Sequence, residues 1–460
     1  MSDTLMISVS GIRGHVGTDL TPELVARYAA ALGAWSRSAG SARQSERPTV
    51  ILGRDARTSG PMFARAAAAG LLSVGVDVVD LGIVPTPTVQ MAVEHHHAGA
   101  GLILTASHNP IEWNALKFVG PDGIFLDAES GALVRGLADS GPPRASWDGI
   151  GVLREDPHAI DRHLNAILAL PVIDTDAIRR RRFRIALDCV RGAGATAMLP
   201  LLERLGCEVH GINLEMDGRF PRPPEPIPEN LGELSRLVRE TGSDVGLAVD
   251  PDVDRLALVD ETGRPIGEDY TLAFAVKAVL DGRLTAAATP TVVVNLSTSL
   301  VVEDAARAAG ARFVRAPVGE ANVARAIREE RATIGGEGNG GVMFPALHIG
   351  RDAPLGVALI LHLLAATGVT LTHLVSASPR YTIVKAKGPR GAELGPLYAR
   401  LQTRFPDAAA DDRDGLRLAW PDRWLHVRPS GTEPIVRLIA EAPTEAEATK
   451  LVAAGRELLY

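Results

Sequence analysis

The segment Thr105-Ala106-Ser107-His108-Asn109-Pro110 follows the apolar run Leu102-Ile103-Leu104. A serine where a buried strand empties into a polar loop stands where open α/β sheets hold ligands, at the carboxyl end of a strand. Asn114 and Lys117 follow in the same loop, so a nucleophilic hydroxyl, an imidazole and an ammonium share one short stretch. Ser107 next to His108 is also what a helix-capping serine leaves in a sequence. No Gly-x-Ser-x-Gly elbow surrounds it, which argues against a serine hydrolase.

A second apolar run, Leu247-Ala248-Val249, ends in Asp250-Pro251-Asp252-Val253-Asp254-Arg255. Three carboxylates at alternate positions share one side if the extended form persists. Packed so closely they repel one another and call for a cation, and an all-oxygen ligand set favours Mg2+ or Ca2+. The glycine and the terminal glutamate of an EF-hand are missing at their offsets. A solvated acidic turn is the plainer reading, and the strongly apolar strand feeding the turn argues against it.

Two further loops are suited to oxyanions and hydroxyls. Gly335-Gly336-Glu337-Gly338-Asn339-Gly340-Gly341 lets a polar ligand approach the backbone closely around one acid and one amide. Arg428-Pro429-Ser430-Gly431-Thr432-Glu433-Pro434 presents a guanidinium, two hydroxyls and several turn N–H groups, the parts of a phosphate clamp.

The elements that must position these loops recur along the chain. Val50-Ile51-Leu52, Arg184–Asp188 and Val292–Asn295 are unbroken apolar runs, each followed by a loop and a helix-period segment. A further strand follows each in turn, at Val76–Asp80, Glu208–Ile212 and Arg312–Arg315, which is the βαβ spacing. The fold class is therefore α/β, as three similar tandem domains with mixed sheets. After about residue 372 shorter strands (Tyr381–Lys385, Leu416–Ala419, Val436–Ala440) and a helix from Thr444 predict a C-terminal α+β domain. The expected domains are residues 1–145 with the serine loop, 146–258 with the acidic loop, 259–371 with the glycine loop and 372–460 with the clamp. Pro221–Pro228 carries five prolines and reads as a rigid extended loop inside the second unit rather than a linker.

Composition excludes several classes. The chain has 460 residues, enough for three or four domains at roughly 100–200 residues each. A net charge of −7, no long basic block and only 5 Trp, 5 Tyr and 9 Phe argue against nucleic acid or an anionic membrane as partner. Cys189 and Cys207 cannot build a disulfide framework and have no metal-ligand spacing. Met1-Ser2-Asp3-Thr4 lacks the basic and apolar regions of a signal peptide, and Gly356–Ala366, interrupted by His362, is too short to span a bilayer. The expectation is a cytoplasmic protein. His95-His96-His97 invites a metal reading, but it closes a helix pattern and reads as a solvated helix end.

Taken in order, from Ser10-Gly11-Ile12-Arg13-Gly14 to the Arg428–Pro434 loop, these motifs resemble the α-D-phosphohexomutase superfamily of phosphoglucomutases, phosphomannomutases and phosphoglucosamine mutases. The resemblance spans essentially the whole chain and implies four domains around a central active-site cleft. It implies an intramolecular mutase that moves a phosphoryl group between the 6- and 1-positions of a hexose phosphate. Ser107 would be the phosphoserine, and with Asp250, Asp252 and Asp254 would hold Mg2+. Arg13, His108 and Lys117 would be the basic groups at the reacting centre, with His108 or Lys117 as the base. Arg255, Gly319, Glu320, Glu337 and Asn339 would contact the sugar and its phosphate. Arg428, Ser430, Gly431 and Thr432 would hold the phosphate that is not reacting. A hexose 1,6-bisphosphate would serve as activator and intermediate, the hexose phosphate would be the only partner, and the protein would be a monomer or homodimer. Two departures bear on the sugar: Asn339 replaces the serine of the family's Gly-Glu-x-Ser-Gly, and Pro317 stands where some relatives have lysine. The His348-Ile349-Gly350-Arg351-Asp352 stretch and the Gly-Glu-Gly-Asn-Gly-Gly loop resemble phosphoglucosamine mutase-type members, which implies glucosamine 6-phosphate and glucosamine 1-phosphate, with a phosphomannomutase/phosphoglucomutase as the alternative.

Overall fold

The computed structural model describes residues 5–8, 11–39, 47–281, 289–389, 393–430 and 435–459. The first sheet has seven strands: β1 (Met6–Ser8), β2 (Gly11–His15), β3 (Thr49–Arg54), β4 (Asp77–Ile83), β5 (Ala100–Leu104), β6 (Trp113–Val119) and β7 (Leu153–Glu155), in the order β1-β2-β6-β5-β3-β4-β7. Val50, Ile51 and Leu52 are buried because helices cover both faces of β3, as their unbroken apolar run requires. The alanine-rich helices Pro22–Ala39 and Gly60–Leu72 pack so closely that a Cβ on Gly70 would lie 2.2 Å from the Ala26 carbonyl oxygen. Edge strand β7 lies beyond residue 145, in the connection to the second unit.

The second sheet comprises β8 (Arg184–Asp188), β9 (Glu208–Ile212), β10 (Val245–Val249) and β11 (Leu256–Val259), ordered β11-β10-β8-β9. The third comprises β12 (Thr291–Asn295), β13 (Arg312–Ala316), β14 (Ile334–Glu337) and β15 (Gly341–Met343), ordered β13-β12-β14-β15. All three sheets are mixed in the same way. A strand parallel to its neighbour turns at its carboxyl end into an antiparallel return: β5 into β6, β10 into β11, β14 into β15. The serine, acidic and glycine loops are those three turns. The internal repeat thus places three different chemistries at one equivalent position.

The fourth sheet, β16 (Thr382–Pro389), β17 (Ala409–Asp411), β18 (Leu416–Trp420), β19 (Arg423–Pro429) and β20 (Ile435–Ala442), is antiparallel throughout, with helix Glu445–Glu457 capped by the Thr444 hydroxyl. The second and third units share one apolar core around the buried helix Ala353–Thr367, whereas the fourth keeps a core of its own. It meets the third through polar contacts: Glu441, held within the fourth unit by Trp424 Nε1 at 2.6 Å, accepts from Leu300 N at 2.8 Å and from the Ser299 hydroxyl. Among the described residues no single helix is long and apolar enough to cross a membrane. Cys189 and Cys207 are free thiols, and His96 ends its helix 2.8 Å from the Asp156 carboxylate.

Three units meet at a buried carboxylate that the sequence does not announce. Asp352 Oδ2 accepts from His163 Nε2 at 2.7 Å and His348 Nε2 at 3.0 Å, while Thr88 Oγ1 lies 2.9 Å from His163 Nδ1. Burial alone would raise this carboxyl, but His163 and His348 hold it well below the usual carboxylate range. A depressed native pKa gives stability that is present above the unfolded value, about 3.9, and is lost as pH falls through the native one. Asp352→Asn should cost about 3–5 kcal/mol at neutral pH, the usual cost of breaking a buried pair. Urea unfolding at pH 7 and pH 3 checks this: the difference between wild type and variant should shrink in acid.

Candidate active site

Ser107 lies in the turn after β5 with φ of +49°, and no helix follows it, so it is not a helix cap. A left-handed turn at a non-glycine residue needs its surroundings to hold it. Ser107 N donates to Thr105 Oγ1 at 2.9 Å, and Thr105 Oγ1 donates to Asp55 Oδ2 at 2.7 Å. The Arg57 guanidinium, bonded to Asp55 through Nε at 3.1 Å, donates to the carbonyls of Ser107 and Asn109 at 2.6 Å and of Pro110 and Trp113 at 2.6 and 2.9 Å. Four carbonyls of the serine loop thus converge on one buried cation. The Ser107 hydroxyl donates to Asp250 Oδ2 at 3.0 Å and lies 3.4 Å from His108 Nδ1.

The acidic loop converges, but not by strand alternation. β10 ends at Val249, and the chain turns at once, with buried Val253 at φ +61°. The extended form stops because Asp250 Oδ1 turns back to accept from the backbone N–H groups of Asp254 and Arg255, both at 3.2 Å. Ligand oxygens of Asp250, Asp252 and Asp254 lie within 4.8 Å of one another. Lys117 Nζ donates to Asp252 Oδ2 at 2.7 Å and Arg351 Nη2 to Asp254 Oδ2 at 2.6 Å. Each cation takes one oxygen of its partner, and the other, Oδ1 of Asp252 and of Asp254, is buried with no hydrogen-bond partner. Oxygens left bare in this way fit a bound cation, so the acidic triad can hold a metal.

The electrostatics follow from this arrangement. Burial, then Asp254 and Asp252, push the Asp250 carboxyl well up. Burial would raise Asp252 as well, but Lys117 holds it far below the usual range. Burial works against the charge on Lys117, yet Asp252 and Asp254 raise its pKa. His108 goes well down, through burial and the nearby Arg255 and Arg13.

Asn114 and Lys117 are not in the serine loop, as expected from the sequence, but on β6, because that segment pairs with β5 and β2. Lys117 reaches the site from the sheet, and Arg13 from neighbouring β2, where its Nη1 donates to Asn109 Oδ1 at 2.6 Å. A cavity of about 360 Å3 is lined by Arg13, Ser107, His108, Lys117, Arg255 and Arg351, with Gly319 and Glu320 on its wall. Gly319 precedes helix Glu320–Glu329, whose first residue is a buried acid. Glu337 stands behind this wall: Asn295 Nδ2 and Gly319 N donate to Oε1 at 2.9 and 3.2 Å, and Arg351 Nη1 to Oε2 at 2.7 Å, with Asn339 Nδ2 at 3.5 Å. Arg428 is on β19 and does not line the cavity, although Glu337 contributes to its electrostatic surroundings. Ser430 follows it and is buried. Gly431 and Thr432 of the expected clamp, and Ser10, lie outside the described residues.

Sequence reasoning missed Arg57 and Arg351. A signal existed for the first: Asp55-Ala56-Arg57 follows β3 as an acid–cation pair at a strand's carboxyl end. Arg351 stands in the His348–Asp352 stretch of the family resemblance, but its role has no local signal, since its partners Asp254, Glu320 and Glu337 come from other loops.

Four family models match the chain in succession. They are the phosphoglucomutase/phosphomannomutase alpha/beta/alpha domains I, II and III at residues 5–141, 161–263 and 267–381, and the C-terminal domain at residues 385–458. A phosphoglucomutase/phosphomannomutase of Thermococcus kodakarensis is 38% identical over 98% of this chain and 97% of its own length. The "Probable phosphoglucosamine mutase" of Methanopyrus kandleri is also 38% identical, over 96% of this chain and 95% of its own. Among solved structures, a phosphoglucomutase/phosphomannomutase family protein of Burkholderia thailandensis superposes with a TM-score of 0.85 at 25% identity, covering 99% of this chain and 96% of that one.

Proposed function

Because the chain belongs to the phosphoglucomutase/phosphomannomutase family, within the α-D-phosphohexomutase superfamily, we propose that it interconverts a hexose 6-phosphate and its 1-phosphate through phosphoserine at Ser107. The enzyme is a phosphohexomutase, an isomerase. The observation that carries the reading is the Ser107 hydroxyl, 3.0 Å from the acidic triad in a cavity walled by cations.

Phosphoryl transfer needs in-line positioning and charge neutralisation more than covalent invention. Phosphoserine at 107 gives its phosphoryl group to the free hydroxyl of the bound sugar phosphate. The P–O bond to Ser107 breaks, a P–O bond to the sugar forms, and a hexose 1,6-bisphosphate results. The sugar then turns over, and its other phosphate returns to Ser107. Mg2+ held by Asp250, Asp252 and Asp254 would offset charge on the moving phosphoryl group. Lys117, committed to Asp252, serves as a fixed cation. His108, whose Nδ1 faces Ser107 Oγ and whose burial favours the neutral ring, is the better proton acceptor.

The preferred substrate in this reading is glucosamine 6-phosphate. A sugar ammonium in this cation-lined cavity would meet the Glu320 carboxylate on the wall, whereas a hydroxyl gains less from a buried acid. Product analysis tests both levels. Hexose 1- and 6-phosphates, with catalytic glucose 1,6-bisphosphate and Mg2+, should interconvert, and glucosamine phosphates fastest. No interconversion of any hexose phosphate would overturn the mutase, and faster turnover of mannose or glucose phosphates would overturn the amino sugar.

The clamp loop gives a separate expected outcome. Arg428→Lys keeps the charge but loses the bidentate fork. It should raise KM for sugar phosphates about tenfold, and lower kcat as well if the fourth domain orients the sugar. Steady-state kinetics with unchanged kcat and KM would remove Arg428 from phosphate binding.

A further inference from the structure

The proline-rich segment of the second unit crosses to the serine loop of the first. It leaves β9 through Asp217, whose Oδ1 accepts from Arg191 Nε at 2.8 Å, and Gly218. Gly218 has φ +67°, and a Cβ there would lie 2.4 Å from the Ala56 carbonyl oxygen, so this backbone is seated directly on the Asp55–Arg57 turn. The Phe220 ring then covers the Arg57 guanidinium, with its centroid 5.0 Å from Cζ. Further on, Glu225 Oε1 accepts from Arg255 Nη1 at 3.4 Å and stands 3.9 Å from His108 Nε2. The other face of the same imidazole, Nδ1, looks at Ser107 Oγ.

The segment is stiff for a physical reason. Pro221, Pro223, Pro224, Pro226 and Pro228 fix φ and carry no N–H, so few side-chain bonds suffice to hold it. Besides the Arg191–Asp217 and Arg255–Glu225 pairs, two anchors are Arg222 Nε to Asp188 Oδ2 at 2.7 Å and Asn230 Nδ2 to the Glu225 carbonyl at 2.8 Å. Both anchors lie in the second unit, whereas Phe220 and Glu225 are presented to the first.

From this juxtaposition we infer that the strap 217–228 positions the catalytic loop from the neighbouring domain. Phe220 seals the guanidinium that gathers four serine-loop carbonyls, and Glu225 steadies the outer edge of the His108 ring. Neither residue touches the reacting atoms. The ring over Arg57 excludes water that would compete for its N–H groups, and a cation–π contact favours the guanidinium where it lies. The inference rests on the proposed phosphoserine reading for its kinetic consequence, but not for its structural one.

Two measurements on the full chain test it. Amide hydrogen exchange of the 105–113 segment should speed up about tenfold in Phe220→Ala, with the far side of the first sheet unchanged. In Phe220→Tyr, which keeps the ring, it should match wild type. With hexose phosphate and catalytic bisphosphate, Phe220→Ala should lower kcat about 10- to 100-fold with KM within about threefold, and Phe220→Tyr should restore kcat. Glu225→Gln should lower kcat about tenfold, again without a rise in KM. Unchanged exchange in Phe220→Ala overturns the inference. So does failure of the tyrosine to restore the loop, or kcat within twofold of wild type for both Phe220→Ala and Glu225→Gln. A wild type that turns over no hexose phosphate would instead remove the proposed function, and the exchange experiment would still decide whether the strap holds the loop.

Discussion

Ser107→Ala should lower mutase turnover at least about 10^3-fold, because among the described residues no other hydroxyl lines the cavity to carry the phosphoryl group between the two ends of the sugar. The fold should survive the change. The loop is held through backbone atoms, by Arg57 on the carbonyl of Ser107 and by Thr105 on its N–H, and neither bond needs the hydroxyl. The one side-chain bond lost as a donor, to Asp250, relieves nothing else in the loop. Intact-mass analysis after incubation with glucose 1,6-bisphosphate gives the direct check. Wild type should gain one phosphate on the Ser107 peptide and the variant none. An active wild type that never carries phosphate there would end the phosphoserine mechanism.

The second large effect is expected at the acidic triad, and the three aspartates should not behave alike. Each single change to Asn should weaken Mg2+ binding by about tenfold or more, read by calorimetry without substrate, and activity should fall with it. Without metal their effects on stability should diverge. Asp252 and Asp254 each hold a cation, Lys117 and Arg351, at 2.7 and 2.6 Å. Losing the Asp252 carboxylate leaves the buried Lys117 charge with only Asp254 at 3.9 Å, at a cost of about 3 kcal/mol or more. Without Asp254 the Arg351 charge keeps Glu337 at 2.7 Å and Glu320 at 3.1 Å, so Asp254→Asn should cost less. Asp250 holds no cation, its oxygens accepting instead from the Ser107 hydroxyl and from the backbone N–H groups of Asp254 and Arg255, and it is pushed toward its neutral form by burial and the other two carboxylates. Asp250→Asn should therefore be neutral or stabilising in the metal-free protein. Equal destabilisation by all three changes, or activity that survives exhaustive chelation, would contradict this arrangement.

Much of the scaffold was legible because it is written locally. Val50-Ile51-Leu52, Arg184–Asp188 and Val292–Asn295 are strands in the structure, inside β3, at β8 and inside β12, and Thr444 caps the last helix. Apolar runs and turn residues act over a few positions, so a single chain exposes them. The expectation that the aspartates alternate on an extended strand failed at Val249, where backbone N–H groups of the turn found a better acceptor in Asp250 than a strand partner could offer. Lys117 was placed in a loop for a similar reason: nothing near it in sequence reveals that β6 pairs with both β5 and β2.

Local patterning is enough to give the inventory of the site: one serine, one imidazole, three carboxylates and a glycine loop, each at the end of an apolar strand. Which of these groups meet is set by how the domains pack. Lys117 and Asp252 are 135 residues apart, Arg351 and Asp254 are 97 apart, and Arg57 and Ser107 are 50 apart. No periodicity reports such distances, because the pairing of long-range charges depends on how whole sheets pack, whereas patterning records only which face of each element is apolar. Three turns that look unrelated in sequence share one site because the same strand-and-return unit is built three times. Their charges then neutralise one another across domains, while Oδ1 of Asp252 and of Asp254 stays without a hydrogen-bond partner, as a cation would require.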